Sequence, residues 1–232
     1  MKTADDALNI DILLPAKEAF SPANAGAVAT VVNDLVTKSA RNDDIMVIGN
    51  DVDMPFPNVN FCGLKPKLAW FYGNNTGFVL AYLNQIKNYR APDLIEVHGR
   101  CHVAAQIMKK RPGIPVSLYL HNDPRTMKGA KTISERQSLL TGLTQIICVS
   151  NYIRGCFLDG LDTAGQLTTK IHVVQNGVTR RLKTPPQKEA IIFLAGRMVP
   201  EKGILECAQA LADILPSYPE WLLVIAGARR FE

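Results

Sequence analysis

The run from Phe193 to Gly203 joins an apolar strand to a turn that carries two cations. Gly196 and Arg197 follow the apolar residues, Lys202 comes later in the same turn, and a helical pattern begins after Gly203. Backbone N–H groups and the dipole at a helix start favour an anion. A guanidinium grips phosphate oxygens through two parallel hydrogen bonds, and an ammonium adds a mobile point charge. The pattern predicts a phosphate-binding turn; the alternative is a pair of solvated surface charges.

This run resembles the Gly-Arg…Lys-Gly motif of the family 4 retaining glycosyltransferases, whose GT-B fold has two Rossmann-like domains. Other segments are similar to that family in the same order along the chain, namely Leu94–His98, Cys148–Arg154 and Ile171–Val178. The resemblance implies transfer of a hexosyl group from a nucleotide-diphosphate sugar to an acceptor hydroxyl, with retention of configuration. It also implies that Arg197 and Lys202 contact the donor diphosphate in place of a metal ion, and that no cofactor is needed.

The N-terminal part of the chain, up to His121, carries further candidate residues. The resemblance places Gly26 where a glycine amide approaches the donor phosphate, although Ala25 replaces the first glycine of the family's pair. It makes His121 the candidate catalytic residue, hydrogen-bonded to the donor sugar, and it puts His98 and Arg100 beside the acceptor cleft. His121 also follows an apolar strand, and such strand ends open into the ligand crevice of this class of sheet. A structural hydrogen bond is the alternative for His121.

Other polar residues favour structural roles. Ser150 precedes a helical segment and predicts an N-cap, in which its hydroxyl accepts a helix N–H. Asp123 is a candidate base or a cap. Asp51 and Asp53 superficially resemble a metal-binding triplet but lie between Asn50 and Pro55, which predicts turn chemistry. No metal site is expected.

Short β-branched runs alternate with helical stretches along the chain. Continuous apolar strands of this kind predict a parallel sheet covered on both faces, an α/β doubly wound Rossmann-like fold. Strands are expected at 10–14, 45–48, 94–97, 116–120, 146–149, 171–174, 191–195 and 221–226, and helices at 27–35, 78–86, 101–108 and 204–215.

Two prolines and flanking charges interrupt this rhythm at 183–188. They predict an N-terminal, acceptor-side domain at 1–182, a linker, and the start of a nucleotide-sugar-binding domain at 189–232. In the resembling family the second domain continues for well over a hundred residues and supplies two glutamates to the donor site. The resemblance therefore implies a truncated second domain, an isolated chain that is inactive, or a partner chain that completes the site.

Composition limits the remaining classes. The five cysteines are scattered without a Cys-x-x-Cys pair, which favours buried thiols over disulfides or zinc. Neither a signal peptide nor a membrane-spanning stretch is evident, so a cytoplasmic protein is expected. The net charge of +5 and the cations beside aromatics at 65–72 favour an anionic membrane surface at the inner face and a glycan or lipid-linked acceptor, as in lipopolysaccharide synthesis. Further basic residues are Lys109, Lys110, Arg111, Arg125, Lys128 and Lys131.

Two classes of function stay open from the sequence. One is a glycosyltransferase or part of one, and the other is a catalytically inactive binding domain derived from such an enzyme. Nicotinamide-dependent oxidoreduction is disfavoured because no Gly-x-Gly-x-x-Gly follows a strand. Nucleic-acid binding is not expected, because no recognised motif accompanies the charge.

Overall fold

The computed structural model describes residues 8–66, 73–88, 91–162, 166–180 and 182–227, and within them the chain divides into two compact units. The first is Met1–Thr179 and the second is Arg180–Glu232. The predicted linker at 183–188 lies inside the second unit. The predicted interfacial segment lies largely at 67–72, outside the described residues; Lys65, at its start, forms an ion pair with Asp51 at 3.0 Å.

Within the described residues of the first unit, seven strands form one parallel sheet in the order β3-β2-β1-β4-β5-β6-β7. The strands are β1 Ile10–Leu13, β2 Ile45–Asn50, β3 Phe61–Leu64, β4 Leu94–His98, β5 Val116–Leu120, β6 Gln145–Cys148 and β7 Ile171–Val173. The helices are α1 Ala27–Lys38, α2 Asn74–Asn88, α3 Cys101–Lys110, α4 Ile133–Gly142 and α5 Asn151–Leu158. The strand order reverses between β1 and β4, and in such sheets a ligand crevice forms beyond the carboxyl ends at this point.

The sheet is covered on both faces, as the sequence predicted. Ile12 and Leu14 pack in one apolar cluster with Ala29 and Val32 of α1. Leu13, which lies between them in sequence, belongs to a second, larger cluster that includes residues of α2, α3, α4 and α5. Successive side chains of a strand point to opposite faces, so these two clusters lie on opposite sides of the sheet.

Two elements, strand β3 and helix α4, were not predicted from the sequence. Strand β3 is short, contains Gly63 and lacks β-branched residues, so it carries none of the strand signal that marks its neighbours. Helix α4 is mostly polar, with Leu139 and Leu140 among its few buried residues. Its start nevertheless has a capping box, in which Glu135 N–H donates to the Thr132 hydroxyl and Thr132 N–H donates to the Glu135 carboxylate.

The described part of the second unit is a strand, a helix and a second strand. Strand β8, Ile191–Ala195, pairs in parallel with β9, Leu222–Ala226, and α6, Ile204–Ala212, connects them with a following turn. The helix ends three residues before the predicted Leu215, and a short 3₁₀ turn at Leu215–Ser217 follows. Among the described residues of this unit none is fully buried, and Phe193, Leu205 and Leu222 are each at least 60% exposed.

Candidate functional site

Two adjacent strands of the first unit bring His98 and His121 together at the carboxyl edge of the sheet. His98 is the last residue of β4, and His121 follows β5 directly. The His98 Nδ1 and His121 Nε2 atoms are 2.9 Å apart, which is a hydrogen bond between the two imidazoles. The structure therefore connects two residues that the sequence analysis considered separately.

Glu96 and Tyr119 complete this cluster, and the sequence analysis did not identify either. Glu96 Oε1 is 2.8 Å from His98 Nε2. Tyr119 is the residue of β5 registered with His98, and its ring stacks on both His98 and His121 with centroid distances of 4.7 and 4.9 Å. Its hydroxyl donates to the Val174 carbonyl at 3.3 Å. We call Glu96, His98, Tyr119 and His121 the histidine cluster.

A signal for the histidine cluster exists in the sequence, because β4 and β5 alternate. Ile95 and Val97 enter the larger apolar cluster, whereas Glu96 and His98 lie on the opposite face of β4. Val116, Leu118 and Leu120 of β5 belong to the same larger apolar cluster, whereas Ser117 and Tyr119 do not. The continuous apolar character predicted for these two strands was therefore wrong; each has one polar face, and the polar faces are adjacent.

Burial decides the role of each histidine. His98, which the family resemblance puts beside the acceptor cleft, is fully buried and reaches the carboxyl edge of the sheet through its hydrogen bond to His121. His121 is only partly buried. Burial, together with the neighbouring His98, lowers the pKa of His121 to about 3, because the charged imidazolium loses hydration in this environment. His121 is therefore neutral at physiological pH and can act as a hydrogen-bond partner but not as a cation.

Arg100 borders a cleft of about 330 Å³ next to the histidine cluster. The cleft is lined by Lys17, Asn74, Asn75, Gly99, Arg100, Cys101, His102, Thr126, Met127 and Lys128. Gly99 has a φ of 61° and connects the strand that carries His98 to Arg100, which precedes α3. Burial lowers the pKa of His102, and the charges of the nearby Lys128 and Arg100 lower it further. These two residues and Lys17 are the cations that line the cleft.

Gly26 lies at the start of α1, but a carboxylate already occupies this helix end. Gly26 is the N-cap residue, and the Ala29 N–H donates to Glu18 Oε2 at 3.3 Å. A Cβ atom at Gly26 would meet the Glu18 carboxylate oxygen, so this side chain lies directly against the glycine. The helix end that was predicted to approach phosphate therefore holds an anion of the chain itself.

The cationic turn of the second unit begins where the sequence placed it. Gly196 follows β8 and donates its N–H to the Ala226 carbonyl at 3.0 Å. The Lys202 side chain lies over Gly196, since a Cβ atom placed on Gly196 would be 3.8 Å from the Cγ and Cδ methylene carbons of Lys202. Gly203 then adopts a left-handed conformation, φ 64°, and caps α6. Arg197 and Lys202 are both exposed, and within the described part of the chain neither has an ion-pair partner.

Several other predicted roles are settled by the structure. Ser150 caps α5 and accepts the Ile153 N–H at 3.2 Å, as predicted. Asp123 is a cap rather than a free base, because its carboxylate accepts the backbone N–H and the guanidinium of Arg125. Arg125 also contacts Asp159 at 2.9 Å, so two carboxylates compensate this cation, one of the basic residues taken to favour an anionic membrane surface. Asp51 lies in the loop after β2, as turn chemistry predicted.

The cysteines are free thiols, and three are buried. Cys101, Cys148 and Cys156 are buried, whereas Cys62 and Cys207 are partly exposed, which corrects the prediction for those two. Burial raises the pKa of Cys101 and of Cys148 to about 12, so neither is a nucleophile at neutral pH. Over the described ranges, no group of three or more histidine, cysteine or acidic residues could hold a metal ion, and no helix is long and apolar enough to cross a membrane.

The doubly wound sheet, with polar residues at the carboxyl edge beside its switch point, defines a Rossmann-type protein that binds its ligand at that edge. The profile of Glycosyltransferase Family 4 matches residues 28–181, well over half of the chain. The chain belongs to this family.

Known relatives agree with that assignment. YtcC of Bacillus subtilis (strain 168), itself named as a candidate glycosyltransferase, is 27% identical over 157 residues, and the match covers 60% of this chain and 38% of YtcC. Alr3699/HepE of Anabaena, crystallised with UDP and glucose, superposes with a TM-score of 0.67 at 16% identity, over 97% of this chain and 62% of HepE. Sucrose-phosphate synthase of Thermosynechococcus elongatus superposes with a TM-score of 0.65 at 16% identity, over 94% of this chain and 62% of the synthase. The chain thus spans under two thirds of these relatives, and the structural likeness shows the GT-B fold.

Proposed function

We propose that this chain acts in transfer of a hexosyl group from a nucleotide-diphosphate sugar to an acceptor hydroxyl, with retention of configuration. The observation that carries the proposal is the family match over residues 28–181, which includes the whole histidine cluster. HepE, which shares the fold, was crystallised with UDP-glucose. Retention of configuration and a hexose donor are proposed from the family resemblance.

The residues have separate roles in this proposal. Arg197 and Lys202 hold the donor diphosphate, on which negative charge grows as the glycosidic bond breaks; fixed cations aimed at that charge lower the barrier. They would act without a metal ion or other cofactor. His121 is neutral and hydrogen-bonds the donor sugar. Arg100 and its cleft receive the acceptor, and the three cations that line the cleft suit an acceptor that carries anionic groups.

We extend the proposal to the biological setting. A glycan or lipid-linked acceptor, as in synthesis of lipopolysaccharide or another cell-surface polysaccharide, agrees with the net charge of +5. The same charge supports action in the cytoplasm at the inner, anionic face of a membrane.

A second candidate is a binding domain without transferase activity, and Glu18 is the observation that favours it. Its carboxylate occupies the start of α1 where a donor phosphate was expected to meet Gly26. A phosphate could reach that helix end only if Glu18 moved away, because two anions at one helix start repel each other.

The first experiment measures UDP binding by isothermal titration calorimetry. Charge-assisted hydrogen bonds contribute about 1.5–3 kcal/mol, so Arg197→Gln should weaken binding on the order of 10-fold or more. Arg180→Gln removes another exposed arginine of the same unit and serves as the matched control. Equal affinity of the two variants would contradict the role of Arg197.

A second measurement separates transferase from binding domain. The chain is incubated with UDP- and GDP-hexoses and a lipid-linked or glycan acceptor, and released nucleoside diphosphate is followed by a coupled assay. Release that depends on His121 supports the transferase. Binding of UDP without release from any donor supports the second candidate, and Glu18→Gln then tests whether the carboxylate excludes phosphate, because its removal should tighten binding.

A further inference from the structure

Glu96, His98 and His121 form a continuous line of hydrogen bonds, in which the fully buried His98 lies between the partly exposed Glu96 and His121. Glu96 Oε1 lies 2.8 Å from His98 Nε2, and His98 Nδ1 lies 2.9 Å from His121 Nε2. Both ring nitrogens of the fully buried His98 are thus used within the line. Because each imidazole nitrogen is either a donor or an acceptor, the line constrains where the hydrogens lie.

The constraint begins at the carboxylate. An ionised carboxylate only accepts hydrogen bonds, so His98 Nε2 must carry the hydrogen that it donates to Glu96. With His98 in its neutral form, its imidazole has one N–H group, and His98 Nδ1 is therefore an acceptor. The hydrogen between the two rings then belongs to His121 Nε2, and His121 Nδ1 carries none.

Ring packing keeps this arrangement from reversing by rotation. Tyr119 stacks on His98 with an interplanar angle of 12° and on His121 with an angle of 17°. The two histidine rings lie edge to edge, with centroids 5.1 Å apart, as the hydrogen bond between their nitrogens requires. A flip of either ring would break at least one of the two short hydrogen bonds within a buried layer, where an unpaired polar atom costs about 1–3 kcal/mol.

We infer that Glu96 and His98 are positioning residues that hold His121 in its Nε2–H tautomer and leave His121 Nδ1 as a hydrogen-bond acceptor. Within the described residues, no group donates to His121 Nδ1. His121 is only partly buried, and its Nε2 is already used by His98, so Nδ1 is the ring nitrogen that is left for a ligand. A ligand at this nitrogen must supply a hydrogen, as a sugar hydroxyl does; this last step rests on the proposed function.

The opposite arrangement follows if the carboxylate is replaced by an amide. A glutamine at position 96 can either accept from His98 Nε2 or donate to it. When it donates, His98 carries its hydrogen on Nδ1, donates to His121 Nε2, and forces the His121 hydrogen onto Nδ1. Glu96→Gln should therefore convert one His121 tautomer into a mixture of two without changing the shape of the side chain.

Nitrogen NMR tests the inference without a donor or an acceptor. The chain has four histidines, so long-range ¹H–¹⁵N spectra of the full ¹⁵N-labelled chain at pH 8 contain four sets of imidazole cross-peaks, and the pattern of each set reports the tautomer. The set that is lost in the His121→Gln variant belongs to His121. We expect the Nε2–H pattern for His121 in the unsubstituted chain and exchange-averaged, intermediate shifts in Glu96→Gln. Glu206→Gln, an exposed carboxylate in α6, is the matched control and should leave the pattern unchanged.

Two results would overturn the inference. One is an Nδ1–H pattern for His121 in the unsubstituted chain, a result that needs no variant to fold. The other is a folded Glu96→Gln variant in which the His121 pattern is unchanged. Neither depends on sugar transfer, so a chain that shows the expected tautomer but releases no nucleotide would contradict the proposed function and leave the positioning role intact.

Discussion

Replacing His121 by glutamine should make the stability of the first unit less dependent on pH. His121 is partly buried and is linked to the buried His98, and this environment lowers its pKa to about 3. In the unfolded chain an imidazole titrates near pH 6.5. Between these two values the unfolded chain binds one more proton at this residue than the folded chain does, so acid favours unfolding.

The sign and size of this pH dependence of the free energy of unfolding follow from proton linkage. Where the unfolded state binds one extra proton, the free energy of unfolding falls by about 1.4 kcal/mol for each pH unit of acidification. The contribution of His121 is fully present above pH 6.5 and is lost progressively as the pH falls toward about 3. Between pH 7.5 and 5.5 the full effect would be about 1.4 kcal/mol, and partial exposure of the ring reduces our expectation to about 1 kcal/mol.

Urea denaturation followed by far-ultraviolet circular dichroism measures this difference at pH 7.5, 6.5 and 5.5. The quantity of interest is the stability of the unsubstituted chain minus that of His121→Gln, because other titrating groups, such as His102, cancel in the subtraction. We expect this difference to fall by about 1 kcal/mol from pH 7.5 to 5.5. His172→Gln, at an exposed histidine of β7, is the matched control. A difference that stays constant with pH would refute the reasoning.

Three structural predictions follow from single side chains. Ser150→Ala should cost about 1 kcal/mol of unfolding free energy because it removes the cap on α5, whereas Ser150→Asp should retain most of it in the same urea assay. Arg136→Met should cost about 3 kcal/mol or more, since the buried guanidinium donates to four backbone carbonyls, those of Ala130, Lys131, Phe157 and Asp159; a loss below 1 kcal/mol would contradict this role. Gly203→Ala should destabilise the second unit by about 1 kcal/mol through its left-handed backbone, as Trp221 fluorescence can report in a Trp70→Phe background. Gly203→Asn should cost less than Gly203→Ala, and the reverse order would argue against backbone strain.

The strands that the sequence predicted share one property, a short run rich in apolar residues, although polar residues alternate with them in β4 and β5. Such runs extend easily and must be buried, so strands β1, β2 and β4 to β9 were correctly anticipated to within two residues at each end. Strand β3 was not predicted, because a short segment with a glycine becomes a strand only when it forms backbone hydrogen bonds with a neighbouring strand, here β2. Helix α4 was missed because its few buried residues give no continuous apolar stripe.

The histidine cluster shows where inference from sequence stops. The amino-acid sequence alone indicated the parallel doubly wound sheet, the cationic turn with Arg197 and Lys202, and the place of His121 at a strand end, because each depends on residues close together in the chain. The register of β4 against β5 was decided only in the tertiary structure, and it is this register that sets Tyr119 beside His98 and brings His121 within hydrogen-bonding distance of a buried imidazole. The neutral state of His121 and the carboxylate of Glu18 at the start of α1 likewise arise from burial and from contacts between separate elements, which local sequence patterns do not encode.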